Sequence, residues 1–277
     1  NSLLRPYVTG DDITSGALTR LERWALDIAD MSLEAVAKHW PVAHAFLTEV
    51  VEPTRTPQAL KSYKGLIDRW WQFWNHRAEQ MRRLRKQSEF IAFCKAAKYP
   101  VCMLAPTEWL YTNKVILVEN ARPDLLAICL SSPFRDWVSR FSLQSLGGDN
   151  NTLSLSITEA FGTFPQPVAT ASEVGIDAAA KFQEVLTSWS KANRKGMTDA
   201  MNAVNSPAAT EDAIQELRQL LEKIDGAVKV AYGWTDIDLS YDFHIEVDAE
   251  GAPINRHGTS AAARSRVLAA LLKLNRE

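Results

Sequence analysis

Residues 89–130, EFIAFCKAAKYPVCMLAPTEWLYTNKVILVENARPDLLAICL, decide how the chain is classed. Four segments within them, EFIAFCKAA, YPVCMLAP, NKVILVEN and DLLAICL, are short and rich in β-branched and aromatic residues. Pro, Asn and Arg-Pro bound them, residues that end strands by removing a ladder donor or favouring a turn. The pattern predicts short strands. Just beyond, Ser131-Ser132-Pro133 predicts a helix start, with the helix running to Phe141. Serine caps free amides there, and proline's fixed φ suits a first turn. A Gly/Asn-rich loop, SLGGDNNTLSLS at 145–156, then leads into another short strand.

On the N-terminal side, residues 62–87 predict one long helix. Ile67, Trp70, Trp71, Trp74, Ala78, Met81 and Leu84 recur at spacings of three and four and form one apolar stripe. Arg69, Gln72, His76, Glu79, Arg83 and Lys86 fall on the opposite face. On the C-terminal side, TFPQP at 163–167 marks a boundary, and the remainder is mostly helical. Helices are expected at about 173–193, 197–204, 209–232 and 261–274, with an irregular or short β segment over 234–257. Ile214, Leu217, Leu221, Ile224 and Val228 make the buried stripe of the third. The fold class expected is α+β: a mixed α/β domain over 1–167 followed by a mainly α-helical domain over 168–277.

The chain has 277 residues, 31 basic and 33 acidic side chains, a net charge of −2 and 46% apolar residues. This composition excludes a disordered tail, a coiled coil and a collagen-like repeat. The near-neutral total hides a strong asymmetry. Residues 61–98 hold ten basic and three acidic side chains, net +7, while 1–60, 99–167 and 168–277 are each acidic. A basic segment of this kind fits either a polyanion binder or a solvated helix face. No apolar run approaches the ~18 residues of a membrane span. The opening NSLLRPYVTG lacks both a signal-peptide core and a starting methionine, so the chain is expected to be cut from a longer protein. Cys94, Cys102 and Cys129 form no CxxC or Cys/His pattern and read as buried thiols of a reducing compartment.

Catalytic motifs are missing. GxxxxGK(S/T), GxGxxG, GxSxG and HExxH do not occur. The cluster Asp236, Asp238, Asp242 and His244 fails as a calcium loop. Tyr241 stands where the invariant glycine would be and Val247 where the bidentate carboxylate would be. The Gly147-Gly148-Asp149-Asn150-Asn151-Thr152 loop has two readings. Gly and Asn tolerate positive φ and build turns. Asn and Thr also hydrogen-bond base edges in the major groove.

Several blocks, in order, resemble the C-terminal half of MmeI-like and Eco57I-like bacterial type IIG restriction-modification DNA methyltransferases. Arg5-Pro6-Tyr7 with Gly10-Asp11 is similar to the family's "PYLNGxD" entry, and Trp70-Trp71-Gln72-Phe73 to its "WW-aromatic" helix. Leu130-Ser131-Ser132 with Trp137 resembles "LSSxxHxxW", and Ser156…Phe161-Gly162-Thr163-Phe164-Pro165 resembles "YSxSxxFxTFPFP". In the tail, Ile214…Leu217-Arg218…Ile224-Asp225…Tyr232-Gly233-Trp234 and Ala263-Arg264…Val267-Leu268…Leu274-Asn275 match the closing blocks. Leu155, Gln166 and Leu221 depart from the family pattern.

The resemblance implies a target recognition domain over 1–167 and a bracing helical domain over 168–277. It implies a bacterial, cytoplasmic parent that methylates adenine N6 with S-adenosylmethionine. Such a parent often cleaves DNA with Mg2+ as well and serves in phage defence. The chain carries no NPPY, no cofactor motif and no nuclease motif, so it is expected to be non-catalytic and to need no cofactor itself. Its partners would be double-stranded DNA and the methyltransferase domain of the same parent chain, with no membrane. Asn150, Asn151, Thr152 and Ser154 would contact bases, with Lys95 and Lys98 as second candidates. Arg77, Arg82, Arg83, Arg85 and Lys86 would contact phosphates, which positions without specifying. The alternative is a protein-interaction or regulatory module of a phage-defence complex, docking through the acidic helical tail.

Overall fold

The computed structural model describes residues 3–62, 64–73, 78–119, 122–144, 152–247 and 251–276. Asn150, Asn151 and Arg77 lie outside the described residues. The fold is α+β. Along the chain come β1 (Leu4–Val8), α1 (Gly10–Thr14), β2 (Trp24–Leu26), α2 (Leu33–His39), α3 (Pro41–Phe46), α4 (Glu52–Ser62) and α5 (Ala78–Leu84). Five strands follow: β3 (Glu89–Cys94), β4 (Ala96–Ala97), β5 (Met103–Pro106), β6 (Leu110–Tyr111) and β7 (Val115–Val118). Then come α6 (Pro123–Leu130), α7 (Ser132–Arg140), β8 (Leu143–Gln144) and β9 (Leu153–Ser154). The C-terminal elements are α8 (Glu173–Asn193), α9 (Met197–Val204), α10 (Asp212–Ala231), β10 (Tyr241–Val247), β11 (Pro253–Thr259) and α11 (Ala261–Leu274).

By packing, the chain forms two compact units. The first comprises residues 1–7, 22–88 and 107–110, the second 8–21, 89–106 and 111–277. Residues on both sides of position 167 therefore share the second unit. In it α6 packs on α8, and α10 packs on both.

In the first unit β1 and β2 pair antiparallel, with Leu4 opposite Leu26 and Pro6 opposite Trp24. Ser32 caps α2 by accepting from the Ala35 amide at 3.2 Å. Pro41 opens α3, and a π-helical turn at Leu47–Val51 carries the chain into α4. Ile28, Val36, Leu47 and Trp70 form the core, with Leu26, Met31 and Trp71 packed against it.

The single helix expected over 62–87 is not formed. A 3-10 turn at Lys64–Leu66 follows α4, residues 67–72 are turn and bend, and the next described helix is α5. The periodicity there is real but serves a different geometry. Arg55 Nη1 donates to the carbonyls of Trp70 (2.8 Å) and Gln72 (2.6 Å), acceptors that a continuous helix would have consumed itself. Trp71 Nε1 and Gln72 Nε2 both donate to the Met31 carbonyl, at 2.9 and 3.1 Å. Gln72, expected on the outer face, is 8% exposed. Tertiary hydrogen bonds to a buried loop outweigh the few tenths of a kcal/mol per residue that helix propensity offers.

In the second unit β3 lies between β5 and β7, antiparallel to both, with Ile91 opposite Leu104 on one side and Val118 on the other. Phe90, Ile91, Ala92 and Phe93 are all buried, which is why the strand reads as an unbroken apolar run rather than an alternation. DLLAICL is a helix, α6, where a strand was expected. Leu126, Ala127, Ile128, Cys129 and Leu130 are buried on every side, so the run carries no amphipathic period. Pro123 at the first position was the informative signal. Ser131 caps α7 by accepting from the Phe134 amide, as expected. Helices α8, α9 and α11 occupy the expected spans, and α10 does so to within a few residues. Gly175 lets α8 approach α10 closely: a Cβ there would stand 2.4 Å from the Ala227 Cβ. The irregular segment over 234–257 contains the β10–β11 hairpin, with Phe243 opposite His257 and Ile245 opposite Asn255.

Candidate nucleic-acid interface

Four of the residues singled out in the sequence lie on or beside one small sheet of the second unit, Lys95 and Lys98 flanking β4 and Thr152 and Ser154 at β9. Strand β9 lies between β4 and β8, in the order β4-β9-β8. Ala96 stands opposite Ser154 and Ala97 opposite Leu153, while Leu143 and Gln144 complete the other edge. The Leu155 amide donates to the Lys95 carbonyl at 2.8 Å, and the Lys95 amide to the Lys114 carbonyl at 2.7 Å. Lys95 thus has its backbone held on both sides while its side chain is exposed.

Side chains alternate along a strand, so Thr152 and Ser154 share one face and Leu153 and Leu155 the other. Leu155 is fully buried, while Thr152, Leu153 and Ser154 are half-buried, so the face that Thr152 and Ser154 share is the one opposite the buried Leu155. A π-helical turn at Ile157–Phe161 follows directly, with Ser156 Oγ accepting from the Glu159 amide at 3.1 Å. Trp137 Nε1 donates to the Ala160 carbonyl at 3.1 Å and to Thr163 Oγ1 at 3.3 Å. The turn after β9 is therefore anchored in the aromatic core. The half-buried hydroxyls of Thr152 and Ser154, with the exposed Lys95 beside them, thus stand next to an anchored turn.

Lys98 stands at the end of β4 and turns elsewhere. Its Nζ donates to Asn202 Oδ1 at 3.0 Å and lies 5.3 Å above the Tyr99 ring, whose hydroxyl donates to the same Asn202 oxygen at 2.9 Å. This places Lys98 on the wall of a cavity of about 390 Å³, shared with Ser132, Arg135, Tyr241, Arg256 and His257. These residues are scattered between positions 98 and 258, and no local sequence pattern joins them.

The basic cluster of the first unit is built on α5. Leu84 is buried, Arg82 and Arg83 are exposed, and Lys86 follows with its amide donating to the Arg83 carbonyl at 3.2 Å. Glu79, Gln80, Arg82, Arg83 and Lys86 line a shallow groove. Arg82 pairs with Asp30. Arg85 turns inward to Asp27 at 2.7 Å, and the same carboxylate takes Arg5 Nε at 2.6 Å. One half-buried acid thus fastens two guanidinium groups and braces the start of the chain against the end of α5.

The remaining chemistry is structural. Cys94, Cys102 and Cys129 are free and buried, and burial pushes the Cys102 and Cys129 thiols up, away from the reactive thiolate. Members of the acidic cluster take separate partners: Asp238 accepts from the Ser240 amide, Asp242 from the Phe243 amide, and Asp236 pairs with Arg266. Among the described residues no group of three or more His, Cys, Asp or Glu is placed to hold a metal ion. No described helix is long and apolar enough to cross a membrane.

The fold is similar to part of a restriction-modification enzyme. The solved structure is the type IIL enzyme MmeI in complex with DNA, matched at a TM-score of 0.59 and 14% sequence identity over 99% of this chain. The chain spans 31% of that enzyme's length. No protein-family model and no curated protein matches the sequence.

Proposed function

We propose that the chain is the sequence-specific DNA-recognition part of a type IIG-like restriction-modification methyltransferase, and is itself non-catalytic. The observation that carries this is the placement of Lys95 beside β4 and of Thr152 and Ser154 at and on the neighbouring β9 of one three-stranded sheet. The likeness in fold to a restriction-modification enzyme solved with DNA supports it. A short sheet with hydroxyl and ammonium groups on a fixed backbone suits the donor and acceptor pattern of the major groove. Lys95, Thr152 and Ser154 read bases, together with Asn150 and Asn151 of the same loop. Arg82, Arg83 and Lys86 contact phosphates, with Arg77 beside them in sequence. Arg85, held by Asp27, braces their helix. The parent uses S-adenosylmethionine to methylate adenine, with Mg2+ if it also cuts, in the cytoplasm of a bacterium defending itself against phage. The methyltransferase domain of that parent is the second partner.

Selection of duplexes from a randomised pool tests the reading. Wild-type chain is expected to enrich one sequence, and Thr152→Ala with Ser154→Ala to relax the preference by about 1–3 kcal/mol for each hydroxyl that reads a base. An unaltered preference in that variant removes the base-reading role. A failure to retard any duplex at low salt favours the interaction-module alternative.

Arg83→Gln with Lys86→Gln is expected to weaken binding to all duplexes alike. The slope of log K against log salt should fall by about one for each phosphate no longer neutralised. A loss confined to the preferred sequence contradicts the phosphate assignment.

A further inference from the structure

The cavity beside β4 has a lining that base reading leaves unused. We propose that it is a phosphate-ester site, with Lys98 and Arg135 as its charged ligands. Its volume, about 390 Å³, lies within the range of roughly 300–1,000 Å³ typical of small-ligand sites and exceeds what one phosphate fills. Three cations and two carboxylates line it, but they are unequally engaged. Arg256 is neutralised by Asp136 at 2.5 Å, with Glu246 at 3.9 Å. Lys98 and Arg135 form no ion pair among the described residues. Lys98 meets the neutral Asn202 amide and the Tyr99 ring, and Arg135 Nε donates to the Ser131 carbonyl at 3.4 Å.

Behind the wall, the buried Asp225 carboxylate accepts from the Ser132 amide at 2.7 Å, from the Ser132 hydroxyl, and from Tyr241 Oη at 2.5 Å. Arg135 lies close enough to interact electrostatically with that carboxylate, which leaves Lys98 as the cation of the cavity least engaged by acid. His257 also lines the cavity, with its Nδ1 shielded from solvent and without a hydrogen-bond partner. Burial, with the Arg218 charge nearby, lowers the imidazole pKa to about 4, so the ring is neutral at pH 7 and one nitrogen can donate to a phosphate oxygen. A lysine with no carboxylate partner, an arginine that forms no ion pair and a neutral imidazole around one cavity suit a phosphate mono- or diester. Lys98 then acts on phosphate, and base reading falls to Lys95, Thr152 and Ser154.

The charge site stands whether or not the chain reads DNA, and its test separates the two. Imidazole nitrogen resonances of His257 are followed while the wild-type chain is titrated with inorganic phosphate, with deoxyadenosine monophosphate and with a short random duplex. Phosphate and the mononucleotide are expected to move them, and Lys98→Gln, an exposed change that leaves the fold intact, to weaken both by about tenfold. If the duplex moves the same resonances and Lys98→Gln lowers its salt slope by about one, the ester is supplied by the DNA backbone. If only the free anions move them, the site takes a free nucleotide, and the proposal stands without the DNA reading. If neither phosphate nor mononucleotide moves them at millimolar concentration, the proposal is overturned. Arg135→Gln, checked for folding by circular dichroism, must reproduce the Lys98→Gln loss, and unchanged affinity also overturns it.

Discussion

Trp137→Ala is expected to cost about 3–5 kcal/mol of stability, the range for truncating a large buried aromatic. Trp137 is 1% exposed. Its ring lies 4.4 Å from Phe141 and 6.2 Å from Phe164, in a cluster where Phe134 meets Phe93, Phe161 and Phe164. Truncation opens a cavity in that cluster. It also removes the indole donor that holds the Ala160 carbonyl and Thr163 Oγ1. The damage therefore reaches the turn that anchors β9, so duplex selectivity should fall along with stability. Trp137→Phe separates the two effects: it keeps most of the apolar volume and loses the hydrogen bonds, at about 1–2 kcal/mol. Chemical denaturation measures both. A cost below about 1 kcal/mol for the alanine variant would mean the cluster collapses around the gap, which close-packed cores rarely do.

Arg218→Met is expected to cost about 3 kcal/mol or more, although it replaces a charged residue with an apolar one of similar length. Arg218 is 5% exposed. Its guanidinium donates to the carbonyls of Val204 (2.9 Å), Ala209 (3.0 Å), Ala203 (3.0 Å) and Ser206 (2.6 Å). Three of these lie at or just beyond the C-terminal end of α9, where helix carbonyls have no intrahelical partner. One side chain on α10 therefore caps another helix. It also stacks 5.0 Å over the Phe243 ring of the hairpin. Methionine fills the channel but strands the Val204 and Ala209 carbonyls, each worth about 1–3 kcal/mol when buried unpaired, while the Ala203 and Ser206 carbonyls keep the Ser206 and Ala209 amides and lose only the charged donor. Arg218→Lys should fall between, because an ammonium has three donors and lacks the planar fork. Amide exchange across 201–210 should quicken in the methionine variant before the global transition. Exchange there at the wild-type rate would show that the cap is dispensable.

Both residues sit in blocks that stood out in the sequence, yet their roles did not. Trp137 and Arg218 appear there only as spaced landmarks. Their work is done on Ala160 and Val204, acceptors with no distinguishing side chain. The helices of the second unit were legible because local chemistry and tertiary demand agree. Ser260 caps α11 through the Ala263 amide at 3.2 Å, and the apolar positions of α10 recur with the helical period. DLLAICL was misread because a helix buried on all sides presents no period to read. The break within 62–87 was invisible for a different reason. Arg55 and Met31 lie far from that segment in sequence, and only the fold brings their donors and carbonyls to Trp70, Trp71 and Gln72. The candidate site divides in the same way. Thr152, Ser154 and Lys95 were visible as residue types with suitable chemistry. Asn202, Arg135 and His257 were not, because the cavity they share with Lys98 draws on β4, α7, α9 and the hairpin.

By itself the sequence determined the α+β class, the spans of α8, α9 and α11, the cap of α7, the +7 segment and the lack of catalytic motifs. Each of these is written in local spacing, in capping chemistry or in composition. Only the tertiary structure decided where the first unit's helix breaks, which unit holds the residues on either side of 167, and which polar side chains meet. Those outcomes depend on hydrogen bonds and packing between residues distant in the chain. Their free energy exceeds local propensity, and their partners become known only once the backbone has folded.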